Sequence, residues 1–439
     1  MRGLTRRGFG IAAGATALLG NGALLEQAMA QTAAAEATRN LPRTYSGTTL
    51  RITWGSTPSY QLMADFSSRF TEATGIRLDF QFLQQTDRYQ KMILDASSNT
   101  NSFDIYLTAY QWKEQIAPHA HNLMRLDQEV RGVPPMDWDD YPQRALEAYS
   151  RVDGKAVAIP LLGDVSMLVW DKAALRDAGL DPDSPPADWE GVHRNGVALN
   201  KGGRYGFNMP AGKSIQTACT WITLFHAFGG QYLDAAGRPT FGSDAALKTF
   251  TFMSQRLGKI SPPGNLTWDF PEMINSLVSG QSAQGYMWAG GFSTLFDPSK
   301  SKIAGSLGWA PTPQAVLLGG WGIAVNAKSR SLDAARLFVG WLTSKEISRQ
   351  TALVSGTPCR ISAFKDPEVV ARYPVLPAVL QGMEGAVATY PPLRDSEQVN
   401  ILIYDEANAV CSGTKTAEQA VVDLQEKVST FMRRRGYLR

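Results

Sequence analysis

Cysteine is scarce. Cys219, Cys359 and Cys411 are the only three in 439 residues, an odd set with no CxxC spacing. That excludes a thiolate metal framework and a CxxC redox pair, and leaves room for one disulfide whose partners the sequence does not assign. Histidine is almost as rare, at four residues. His119 and His121 lack a third ligand within sequence reach and read as a solvated loop rather than a metal site. Charge of one sign is not in excess: 43 basic against 40 acidic side chains give +3, which offers no basic surface for nucleic acid. No apolar run is long enough to span a bilayer. The chain contains no GxSxG elbow, no HExxH, no P-loop and no GxGxxG. Asp137-Trp138-Asp139-Asp140 lacks the glycine and distal glutamate of a calcium loop. Arg433-Arg434-Arg435 reads as a solvated tail. No cofactor is expected from these residues.

What is present begins with an address. Thr5-Arg6-Arg7-Gly8-Phe9-Gly10 has the pattern of a twin-arginine export signal, an apolar run continues to Leu25, and Ala28-Met29-Ala30 matches an A-x-A cleavage site. Residues 1–30 are therefore expected to be a signal peptide. Its removal brings the formal charge to about +1. With no cysteine beside the cleavage site, a periplasmic protein without a lipid anchor is expected. Residues 31–43 read as a disordered leader. The remaining length is too great for one hydrophobic core and points to two domains.

The organising stretch is Gly319–Ser344. Gly319 and Gly320 suit a tight bend and close backbone approach. Ile323-Ala324-Val325 suits a buried strand. Ser331 is placed to cap the next helix, whose face repeats at Ala335, Phe338, Val339 and Leu342. Trp321, beside three glycines, is either core wall or ligand platform. Earlier, Leu50–Trp54 reads as a strand, Leu62, Met63, Phe66 and Phe70 as a helical face, and Ile76–Phe82 as a half-buried strand. Tyr89, Met92, Ile93 and Ala96 return to helical spacing, and Phe103–Leu107 is the next strand. This alternation predicts a largely parallel sheet flanked by helices. Asp153-Gly154 marks a turn, with separate strands expected at Ala156–Ile159 and Val165–Trp170. Gly206–Pro210 reads as a strand, Ser214–Phe228 as a helix, Phe270–Ser279 as a helix and Ala283–Trp288 as a strand. Ala420, Val421, Leu424, Val428 and Phe431 form a late helical stripe.

The order of LRITWGS (Leu50–Ser56), SRFTEATGIRL (Ser68–Leu78), FDIYLTAYQW (Phe103–Trp112), DGKAVAIPLLGDVSMLVWDKAAL (Asp153–Leu175), GYMWAGGF (Gly285–Phe292), GGWGIAVNAKS (Gly319–Ser329), GTPCRISAF (Gly356–Phe364) and SGTKTAEQAV (Ser412–Val421) resembles the family-one extracellular solute-binding proteins of ABC importers, the maltose-binding-protein type. The resemblance implies an α/β fold of two hinged lobes, each a mostly parallel sheet flanked by helices. The lobes would be 44–153 plus 308–343, and 154–307 plus 344–439. It implies a monomer that captures a sugar-like small molecule in the cleft, for delivery to an inner-membrane ABC permease. By position it implies indole platforms at Trp112, Trp288 and Trp321, and a hydroxyl-accepting carboxylate at Asp164. Ser56, Thr57 and Gln111 would be polar groups at strand ends, and Gly290, Gly291 and Gly320 places of close backbone approach. Arg360, in Gly356–Arg360, is either a structural ion pair or, if it faces the cleft, a partner for an acidic, sulfonated or phosphorylated sugar derivative. The alternatives are a secreted enzyme on this scaffold or a carrier docking to a chemoreceptor.

Overall fold

Leu50, Ile52 and Trp54 are fully buried and alternate along strand β1, Thr49–Gly55, which the period of two demands. The computed structural model describes residues 38–98, 100–385 and 388–438. The export signal and its cleavage site lie outside the described residues. Within the expected leader, Leu41 is buried and Arg43 donates to the Ala73 carbonyl at 2.9 Å, so the chain is anchored from there onward.

Eight further strands follow β1: β2 (Arg77–Leu83), β3 (Ile105–Ala109), β4 (Arg151–Val152), β5 (Lys155–Ala156), β6 (Ile159–Asp171), β7 (Gln284–Trp288), β8 (Leu307–Pro311) and β9 (Leu318–Val325). The principal helices here are α1 (Pro58–Phe66), α2 (Gln85–Ser98), α3 (Ile215–Ala227), α4 (Phe270–Val278), α5 (Leu332–Leu342), α6 (Ser396–Cys411) and α7 (Ala417–Arg434). One sheet runs β2-β1-β3-β9-β6-β7, with β8 on the far half of β6. β1 pairs in parallel with β2 and β3, as the alternation predicts. The remaining pairings are antiparallel, and here the expected mostly parallel sheets give way to a mixed one. The reason is connectivity. β9 enters between β3 and β6 as a returning strand and not as the end of a crossover helix.

β6 corrects a second expectation. The two strands foreseen around Leu161–Asp164 are one continuous strand of 13 residues, with an irregularity between Pro160 and Leu162. Its first half pairs with β9 and its second half with β7 and β8, so β6 and β9 lie side by side where one half of the sheet passes into the other. Gly319 and Gly320 are likewise inside β9 and make no bend. They do permit close approach. A Cβ on Gly319 would sit 2.5 Å from the Trp288 ring. One on Gly320, at φ +124°, would sit 2.4 Å from Tyr149. The Tyr149 hydroxyl donates to the Gly319 carbonyl.

Gly206–Pro210 forms no strand. It is a buried loop beside β7, bonded through Asn208 N to Gln284 O and tied to Met273 O by the Asn208 side chain. Ser331 makes no side-chain cap. Its own N–H is engaged by the Ser329 hydroxyl. The helix it precedes, α5, is buried from Ala334 to Leu342 on every face. Cys219, Cys359 and Cys411 are free thiols. Among the described residues no helix is long and apolar enough to cross a membrane, and no group of three or more His, Cys, Asp or Glu side chains is placed to hold a metal ion.

Candidate ligand-binding site

Strand ends converge on one cavity of about 390 Å³. β1 runs out into Ser56 and Thr57, and Pro58 opens α1, where its missing N–H costs nothing and its fixed φ suits a first turn. β2 runs out through Gln84 into α2. β3 ends at Ala109 and turns through Gln111. β7 ends at Trp288 and turns through Gly290. β6 and β9 supply Asp164, Gly320 and Trp321 from the middle of the sheet. Ser56, Thr57, Gln111, Asp164, Trp288, Gly290, Gly320 and Trp321 all line this cavity. Carboxyl ends of strands are where open α/β sheets bind ligands, because loops there are free of the ladder and helix N-termini face the gap.

Trp288 is 6% exposed, and its indole N–H donates to Gln216 Oε1 at 2.8 Å, which fixes the ring. Trp321 is half-buried. Its ring meets Trp112 edge-on at 5.6 Å and Tyr60 at 6.3 Å. The Asp164 carboxyl accepts from Ala289 N at 2.6 Å, yet burial pushes its pKa up to about 7. Removal from water disfavours the charged form more than the backbone donors favour it. Gln111 is nearly buried and its carbonyl accepts from the Ser396 hydroxyl at 3.1 Å.

Three expected site residues stand elsewhere. Trp112 is fully buried behind Trp321, its N–H given to Glu397 at 3.1 Å. It supports a wall without lining it. Gly291 is buried, and a Cβ there would press on Met287. Arg360 does not face the cavity. It is fully buried and donates to the carbonyls of Thr343 at 2.8 Å and Met136 at 3.0 Å. It pairs with Asp140 at 3.4 Å and stacks over Tyr141 at 4.4 Å. Its fork is filled by the protein, and this is the structural ion pair of the two readings.

The cavity also takes in Tyr60, Gln84, Arg88, Gln216, Asp269 and Asn275, which sequence reasoning did not select. A signal for Arg88 existed. Arg88 and Asp95 fall in register with Met92 and Ala96 on the apolar face of α2, and all four are buried. A charged side chain on a core stripe needs either a partner or a ligand.

The model of the bacterial extracellular solute-binding protein family matches residues 54–348. The chain belongs to that family. This solute-binding protein is 51% identical over 427 residues to a probable amino-acid ABC transporter periplasmic-binding protein of Sinorhizobium fredii, covering 97% of this chain and 98% of the relative. It is 27% identical over 319 residues to the mannitol-binding protein of Pseudomonas aeruginosa, covering 65% of this chain and 71% of that one. The fold is that of a solved ABC transporter solute-binding protein from Agrobacterium radiobacter K84 in complex with ribitol. The TM-score is 0.82 at 23% identity, over 88% of this chain and 99% of the other. The two-lobed architecture is therefore secure, and so is the role as a periplasmic substrate-binding component of an ABC transporter.

Proposed function

We propose that this solute-binding protein captures a small hydroxylated solute, a sugar, a polyol or an acidic derivative of one, in the cavity between its lobes, and presents it to an inner-membrane ABC permease. The observation that carries the reading is the pairing of two indoles, Trp288 and Trp321, with alcohol, amide and carboxyl groups on one wall-to-wall cavity. Apolar ring or chain faces pack on the indoles and hydroxyls find donors and acceptors around them. The lobes divide near 153/154, 307/308 and 343/344, and ligand bridging both favours the closed arrangement. The Thr5–Gly10 pattern supports export by the twin-arginine route, and the protein works as a monomer. It is a carrier, not a catalyst, so solute recovered after incubation is chemically unchanged by mass spectrometry. Trp288→Ala tests the site itself. Loss of a buried aromatic platform is worth about 1.5–3 kcal/mol, so calorimetric affinity falls by more than about tenfold. Unchanged affinity rejects the assignment.

A second reading, an amino-acid ligand, is favoured by the presence of Arg88 together with Asp164 and Asp269 in one cavity, opposite charges suited to a zwitterion. The 51% identical relative, a probable amino-acid ABC transporter periplasmic-binding protein, agrees with it.

A further inference from the structure

Arg88 is the one charged side chain of this cavity that the fold itself leaves unanswered. It rises from the first turn of α2 and is 2% exposed. Among the described residues its one hydrogen bond runs from Nη1 to Leu83 O at 3.4 Å, and Nε is buried without a partner. No carboxylate of the described residues lies within ion-pair distance of it. The guanidinium carbon lies over the Trp321 ring at 4.3 Å, with Trp112 at 5.6 Å and Tyr60 at 5.9 Å. Those rings hold its orientation but do not neutralise its charge. Burial brings its pKa down to about 10, still charged at neutral pH. A buried unpaired charge is costly, and natural interiors pair it.

The surroundings favour negative charge. The first turns of four helices line the cavity: Pro58 and Ser59 of α1, Gln85 of α2, Ile215 and Gln216 of α3, and Phe270 of α4. The first turn of a helix is the positive end of its dipole. α1 and α3 have no side-chain cap, whereas α4 is capped by Asp269. A second negative charge is disfavoured, because Asp164 and Asp269 line the same space.

We propose that the solute carried by this protein bears a single carboxylate and that Arg88 receives it. The inference rests on reading this cavity as the solute site. A planar carboxylate matches the guanidinium fork, and hydroxyls alone leave the charge unbalanced. The carboxylate has two possible sources, a sugar acid or an amino acid, which share this chemistry.

The test is calorimetry on the full chain with matched pairs: gluconate against glucitol, glucuronate against glucose, and serine against serinol. The carboxylate member of at least one pair is expected to bind about a hundredfold more tightly than its carboxylate-free partner, the scale of a desolvated charge pair. The pair that responds tells sugar acid from amino acid. Arg88→Met removes that preference, and Arg88→Lys restores part of it. Carboxylate-free members binding as tightly as their carboxylate partners overturns the carboxylate while the hydroxylated-solute reading stands. Binding by no member of any pair overturns both. A fall in Tm for Arg88→Met with the acid preference intact makes Arg88 a structural residue and overturns the proposal as well.

Discussion

The carboxyl of Asp164 couples the binding cavity to pH. Its pKa is raised from the ordinary carboxylate range to about 7 by burial. The unfolded chain loses this proton near pH 4, the folded protein near pH 7. Between these values the folded state holds the extra proton, so this group makes stability fall as pH rises from about 4 to about 7. Above that window the buried charge is carried in full. Asp164→Asn keeps an acceptor for Ala289 N and removes the charge. The variant is expected to melt a few degrees higher than the parent at pH 8 and at the same temperature at pH 4. Equal melting temperatures at pH 8, measured without ligand, rule out the buried-charge account. The same residue shows what a sequence reveals at this scale. A lone aspartate between two apolar runs marks a position worth testing, but its burial and its bond to a turn 125 residues away exist only once β6 and β7 are paired.

At the scale of elements, Arg360 takes the structural one of its two expected roles, while Arg88, which the sequence did not single out, faces the cavity. Arg360 leads into a short helix and reaches across to the segment 136–140 and to the end of α5, closing three separate stretches around one guanidinium. Replacing one partner of a buried pair leaves the others unsatisfied, at about 3–5 kcal/mol. Arg360→Met is therefore expected to lower the denaturation midpoint substantially while the folded fraction binds solute as before. Weakened binding at unchanged stability would sink that assignment. Local pattern could not separate the two arginines. Gly356–Arg360 has a recognisable spacing, yet its direction depends on how Lys345–Ser355 packs on α1, a long-range matter. Periodicity did reveal β1, β2, α4 and the stripe of α7, while β3, α3 and β7 were legible as apolar-rich segments bounded by turn residues and are buried almost throughout. It failed where tertiary contacts decide. β6 continues through Leu161–Asp164 because Gly163 N bonds to Pro358 O at 3.0 Å and β9 pairs alongside. Gly206–Pro210 satisfies its backbone with loop and side-chain partners instead of a ladder.

For the whole molecule, transport requires that solute change the balance between open and closed lobes, and the structure offers a place to measure it. α1 belongs to the half of the sheet built on β1. Ser293 follows the turn after β7, in the other half. Ser59 Oγ stands 3.4 Å from Gly290 O and 3.5 Å from Ser293 Oγ, so the halves touch across the mouth of the cavity. Paired side chains this close suit the short Cβ separation that a disulfide needs. In a background with Cys219, Cys359 and Cys411 changed to serine, Ser59→Cys with Ser293→Cys is expected to cross-link slowly in free protein. Saturating solute should speed this, because ligand that bridges both lobes raises the closed population in proportion to its preference for that state. Once oxidised with solute inside, the protein should hold it through dialysis and release it on reduction. Cross-linking at one rate with and without a solute that calorimetry shows to bind, together with free exchange from the oxidised form, would mean that capture here proceeds without closure.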